Sequence, residues 1–274
     1  MTHTLTLNLA ISTIGKEGIK RVFSLLPPPI PNVSYVISWQ NHEGCVLPET
    51  IGERADVTII KTDSKGLSAN RNNALNHCNG DIVLLSDDDI DYNQGAFNDI
   101  LEAFENDPEM DIALFKIDYT NRKQYPDKDL VLSFPYPKFY FPTTPEIAFR
   151  KSRIGNLQFW EGLGLNSLEM HSGEEELFIF SAIKRGLKVF FINKEIGKHP
   201  HPTSGEKITA EVLKGNGFII GLTYPFTSVI RIILKVIRLC RNKKVPFMFS
   251  IKNLSAGWSK SFMKKINIPQ NCRW

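Results

Sequence analysis

The chain has 274 residues, 42% of them hydrophobic and 23% charged, a balance that supports a sizeable core and excludes collagen-like, low-complexity and disordered classes. Its formal charge of +4 combines two opposed parts: residues 1–211 carry 21 Lys and Arg against all 29 Asp and Glu, net −8, whereas residues 212–274 carry 12 Lys and Arg and no acid. The four cysteines (Cys45, Cys78, Cys240 and Cys272) show neither CxxC spacing nor disulfide density, and the N-terminus lacks the basic start and apolar run of a signal peptide, so a reducing, cytoplasmic setting is expected.

In chain order, a buried strand is predicted over Leu5 to Ile11, then a helix from Lys16 to Leu26 stopped by Pro27 to Pro29, and strands over Val33 to Ser38 and Val57 to Ile60. A helix from Leu67 to Cys78, closed by Asn79 and Gly80, precedes a strand over Ile82 to Ser86, and a helix from Gly95 to Glu105 precedes one over Ile112 to Lys116. Residues 123–145 are rich in Pro, Tyr and Phe and read as loops and short strands. A helix between Gly173 and Gly186, with acids in its first turn and bases in its last, leads to a strand over Lys188 to Ile192. Alternating strand and helix predicts an α/β fold with a mostly parallel sheet covered on both faces, in which ligands bind beyond the carboxyl ends of the strands.

Two segments lie at such ends. Ile82-Val-Leu-Leu-Ser86 runs into Asp87-Asp88-Asp89, an oxygen-rich cluster suited to Mg²⁺ or Mn²⁺, with Asp87 and Asp89 on one side of an extended run. Alone, the triplet reads equally as a solvated acidic turn; its position after an apolar strand points to a metal. Before it, Lys61 to Leu75 reads as a strand end, a glycine turn and a helix start.

Together these segments resemble the family 2 glycosyltransferases of the GT-A fold. Gly66, Ser68, Arg71, Asn72 and Leu75 match the family's G-x-S-x-x-R-N-x-x-L element, and Asp87 to Asp89 match its D-x-D motif. Glu146-Ile-Ala-Phe-Arg-Lys151 is similar to the N-x-A-x-R-R strand, with Glu146 in place of Asn. Phe159-Trp-Glu-Gly-Leu-Gly164 is similar to F-D-E-x-F-G, and Gly173-Glu-Glu-Glu176 to G-E-D. The resemblance implies a GT-A catalytic domain over 1–211, with donor binding in about 1–120 and the acceptor and catalytic part in about 121–211; the charge asymmetry sets off a basic helical extension over 212–274. The resemblance carries the D-x-D contacts to donor and cation onto Asp87 and Asp89; the nucleotide-sugar donor is expected on Asp63, Gly66, Ser68, Arg71, Asn72, Asp87 and Asp88, and the divalent cation on Asp89 and Asp87, completed by His199 or His201. The resemblance also places the general base on Glu175, with Glu174 as competitor, and the acceptor at Trp160 and Glu161. Acids are also favoured in the first turn of any helix, and a loop histidine between prolines needs no ligand. The acidic turn by which relatives read uracil after the second strand is Ile37 to Glu43 here, which leaves Gln40, Asp63 or Arg71 for base recognition.

The expected reaction moves a sugar, with inversion, from a nucleoside diphosphate, UDP first, to a hydroxyl of a glycan or lipid-linked acceptor in surface polysaccharide or glycolipid assembly. A sugar nucleotidylyltransferase or a non-catalytic glycan- or membrane-binding module are the alternatives. In the tail, residues 229–242 place Arg231, Lys235, Arg238 and Asn242 on one helix face and Val229, Ile230, Ile233, Val236, Ile237 and Cys240 opposite. Such a helix over about 227–244 suits either the anionic inner face of a cell membrane or packing on the domain. No nucleic-acid motif accompanies the charge.

Overall fold

The structure, a computed structural model, describes residues 4–45, 54–119, 123–136, 140–167, 169–200, 208–263 and 268–273. The apolar strands form one sheet. β1 (Leu7–Ile14), β2 (Val33–Gln40), β3 (Val57–Thr62) and β4 (Ile82–Asp87) pair in parallel in the order β3-β2-β1-β4. Beyond β4 come the short antiparallel β8 (Ile147–Arg150), then β6 (Ile112–Tyr119), the long β9 (Val189–His199) parallel to it, and β5 (Asp91–Tyr92) at the edge; β7 (Leu130–Val131) pairs with β9 off this path.

Strands apolar on both faces are buried on both faces. In β4, Ile82 and Leu84 enter the core under α1 (Gly15–Leu25) and α3 (Ala96–Asn106), with Val22, Ile100 and Phe104. Val83 and Leu85 enter the opposite core under α2 (Leu67–His77) and α5 (Glu174–Lys184), with Leu75, Phe178 and Ile179. A one-turn α4 (Lys151–Ile154) follows β8.

Three α-helices follow, α6 (Ala210–Thr223), α7 (Ser228–Lys243) and α8 (Phe247–Ser261), and after them a single 3-10 turn over Gln270–Cys272. The boundary expected at 211/212 falls inside α6. The tail is joined to the body by a core in which Phe218 and Ile219 of α6 and Cys272 meet Trp160, Leu163 and Leu177, and by Ser181 Oγ donating to Cys272 O at 3.0 Å. The faces of α7 differ from the expectation: Ile232, Val236 and Leu239 are turned inward against Leu213 and Leu254, while Val229, Ile230, Ile233 and Ile237 face outward. Among the described residues, no helix is long and apolar enough to cross a membrane.

Candidate active site

The carboxyl ends of β1, β2, β4 and β9 meet the N-termini of α2 and α5, and the acids gather there. The three aspartates after β4 point three ways. Asp87 accepts from Arg71 Nη2 at 3.3 Å. Asp88 turns toward α1, accepting from Thr13 Oγ1 at 2.7 Å and Arg21 Nη2 at 2.9 Å, so its carboxylate is committed to those groups rather than open to a donor. Asp89 Oδ1 lies 3.3 Å from His199 Nε2, whose ring is buried and stacked on Tyr119. β9 runs seven residues beyond the predicted strand, and that extension brings His199 to Asp89. His201 lies outside the described residues.

α2 is buried through its polar residues as well as its apolar ones, because it is wedged between the sheet and the 159–167 loop. Ser68 Oγ donates to Leu163 O at 2.6 Å, and Asn72 Nδ2 donates to Phe159 O at 2.9 Å while its Oδ1 accepts from Phe159 N at 2.9 Å. Gly66, at φ 91°, supplies the left-handed turn into the helix, and Gln40 Nε2 donates to its carbonyl at 3.2 Å and to that of Ser64 at 2.7 Å. Ser68 and Asn72, expected on the donor, therefore hold the loop, and the amide of Gln40 is engaged with backbone. Trp160, expected at the acceptor, is packed against Phe218 with 8% exposure. Glu161 is exposed and accepts from Asn72 Nδ2 at 3.2 Å. Of the groups expected to read the base, Asp63 remains open to solvent, its side chain 91% exposed and 3.4 Å from His42 Nε2.

This clamp holds Arg71, 3% exposed, at the centre of the acids. Its guanidinium donates to Glu174 Oε1 at 3.0 Å, Glu175 Oε1 at 3.3 Å and Asp87 Oδ1 at 3.3 Å. Burial, reinforced by the neighbouring Glu175 charge, pushes the proton affinity of Glu174 up despite Arg71. Burial likewise raises Asp87, with Arg71 opposing and Asp89 and Glu175 adding. Glu176 is also raised by burial, and Lys235 of α7 offsets part of it. Glu174 is nearly enclosed, whereas the side chain of Glu175 is 19% exposed and its Oε1 accepts from Thr144 Oγ1 at 2.7 Å.

Thr144 was not singled out by motif. It sits in the turn Thr143-Thr144-Pro145-Glu146, whose T-x-x-E pattern is the readable signal. Glu146, standing where relatives have Asn, is fully buried and accepts from Lys123 Nζ at 2.5 Å, Tyr125 OH at 2.7 Å and Tyr140 OH at 3.2 Å. That network fixes the turn and hence the hydroxyl on Glu175. Tyr119, which orients His199, carried no sequence signal.

Among the described residues no group of three or more His, Cys, Asp or Glu is placed to hold a metal ion. Asp89 and His199 offer one oxygen and one nitrogen. That pair fits a cation taking its other positions from waters and phosphate oxygens, with Mn²⁺ accepting imidazole more readily than Mg²⁺. Buried polar atoms without a hydrogen-bond partner include Ser12 Oγ, Arg71 Nε, Glu174 Oε2 and His199 Nδ1, all at this end of the sheet.

A mostly parallel sheet covered on both faces, with acids collected beyond the carboxyl ends of its strands, is an α/β architecture of the GT-A type. Residues 47–163 match the family model described as Glycosyl transferase family 2, so the resemblance carried by the motifs stands over that stretch; Glu174 to Glu176 and His199 lie beyond it. No curated protein matches the sequence. Solved structures of S. aureus TarS 1-349 are similar in fold. The complex with UDP is 14% identical, with a TM-score of 0.58 over 97% of this chain and 95% of that one. The complex with UDP-GlcNAc is 16% identical, with a TM-score of 0.57 over 94% of this chain and 79% of that one. A longer TarS structure, 16% identical with a TM-score of 0.54, is covered over 44% of its length by 88% of this chain.

Proposed function

We propose that the protein transfers a sugar, with inversion, from a UDP-linked donor to a hydroxyl of a glycan or lipid-linked acceptor, using Mn²⁺ or Mg²⁺. The single observation that supports this reading is the presence of two arrangements beyond the carboxyl ends of the strands: the Asp89–His199 pair, and the Glu175 carboxylate held by Arg71 and Thr144. Asp89 and His199 would hold the cation, which, when bound, neutralises charge on the departing diphosphate. Glu175 takes the acceptor hydroxyl's proton, and the freed oxygen bonds to the anomeric carbon on the face opposite the breaking bond to the diphosphate. Glu174, enclosed and proton-retaining, is the poorer base of the two. Asp63, exposed beside His42, is the group best placed to accept from a base N–H.

The nucleotidylyltransferase alternative needs a phosphate-cradling loop after the first strand, but β1 ends at Ile14 and α1 begins at Gly15, which leaves no residue for one. Asp89→Ala tests the metal site. By calorimetry, Mn²⁺ is expected to strengthen UDP binding to the wild type by on the order of tenfold or more and to have no such effect on the variant, with its melting midpoint retained. An equal Mn²⁺ enhancement in the variant would remove Asp89 from the metal site.

A further inference from the structure

We infer that the outer face of α7, continued into the start of α8, is a docking surface for an anionic phospholipid bilayer. The inner face of α7 is already packed through Ile232, Val236 and Leu239, so the outward residues have no role in folding the tail. Those residues are nevertheless apolar: Ile230, Ile233, Leu234 and Ile237 are 49–61% exposed, and Phe226, just before the helix, is 100% exposed. Immediately after α7, Phe247 and Met248 continue the surface at 57% and 72%. Large apolar side chains repeated along one water-facing side of a helix mark an interaction surface.

The charge around that face identifies the occupant. Arg241, Lys243 and Lys244 lie exposed at the C-terminal end of α7, and the whole segment 212–274 contains no acid. An anionic lipid surface supplies the complementary charge. A second copy docked through the same face in a two-fold dimer would instead bring like charges together. At 16 residues, α7 lies in the plane of an interface rather than across it. The inner flank is taken up by the body of the protein: Lys235 hydrogen-bonds Asn216 and lies over Phe141 at 6.0 Å, which leaves the outer face as the one open to a partner.

The test is flotation of the full chain with phosphatidylcholine vesicles and with vesicles also containing phosphatidylglycerol, without donor or acceptor, so that its outcome is independent of the transferase reading. The chain is expected to float with the anionic vesicles, at least about tenfold more weakly with phosphatidylcholine alone or in high salt. Ile233→Asp combined with Ile237→Asp is expected to abolish flotation with the melting midpoint retained. Should that variant fail to fold, Arg238→Glu with Arg241→Glu, at exposed positions, is expected to remove the preference for anionic vesicles. Absence of wild-type flotation overturns the inference. So does equal binding to both vesicle types, as does a dimer in solution that the Ile233→Asp, Ile237→Asp variant disperses.

Discussion

Replacing Glu175 by Gln is expected to lower kcat for sugar transfer by about 10²- to 10⁴-fold while leaving donor affinity in place. The substitution is nearly isosteric. An amide oxygen at Oε1 can still accept from Arg71 and from Thr144, which lie 3.3 Å and 2.7 Å from that atom, so the helix start and its neighbours keep their geometry. What is lost is the ability to take a proton, and the reaction is asked to bear that loss in its chemical step alone. The matched control is Glu174→Gln. Glu174 is 5% exposed, against 19% for the side chain of Glu175, so it is the less accessible of the two to an acceptor hydroxyl. Steady-state kinetics on both variants separates the roles: full activity in Glu175→Gln with loss in Glu174→Gln moves the base by one residue.

Arg71→Met is expected to destabilise the fold by about 3–5 kcal/mol near neutral pH, the cost of removing one partner from a buried ion cluster. Three carboxylates, those of Asp87, Glu174 and Glu175, lie within 3.3 Å of its guanidinium nitrogens, and no other cation is recorded within ion-pair distance of them among the described residues. Without Arg71 the repulsion between these acids and the burial of Asp87 and Glu174 act in the same direction, raising proton affinity in the folded state. The folded variant then binds protons that the unfolded chain has released, so its stability falls as pH rises above the ordinary carboxylate range and recovers as pH falls toward it. Urea unfolding at pH 5.5 and pH 8 measures this: the loss relative to wild type should be larger at the higher pH. A loss below about 1 kcal/mol at both pH values contradicts a central structural role for Arg71.

The fold was legible where its physics is local. Ile82 to Leu85 is apolar on both sides because β4 is covered on both sides, and prolines and glycines mark most of the helix ends near their observed places. The tail was only partly legible. α6 and α8 were not predicted because Gly215, Gly217, Gly221 and Gly257 depress helix propensity. Those glycines are there for the approach of two backbones: a Cβ on Gly217 would lie 2.0 Å from Leu254 O, and one on Gly257 would lie 1.8 Å from Lys214 O. Periodicity alone did identify α7, but it could not say which apolar residues face inward, because two opposite sides of that helix are apolar.

Within the candidate site, sequence spacing marks the segments but not the partner each side chain takes. Ser68 and Asn72 share the motif that contains Arg71, yet their partners are backbone atoms of the 159–165 loop, nearly ninety residues away or more along the chain. Only the tertiary fold sets those contacts. The same holds for Asp88, drawn to Arg21 across the β1–α1 junction, and for Thr144, whose partner Glu175 is brought near by β8 and α5.

The most direct test of the proposed activity is the identity of the nucleotide released when the protein is incubated with a panel of nucleotide sugars and Mn²⁺. The expected product is a nucleoside diphosphate, UDP, formed only with metal and not by the Asp89→Ala variant. Release of pyrophosphate, or no nucleotide product from any donor, contradicts the proposal.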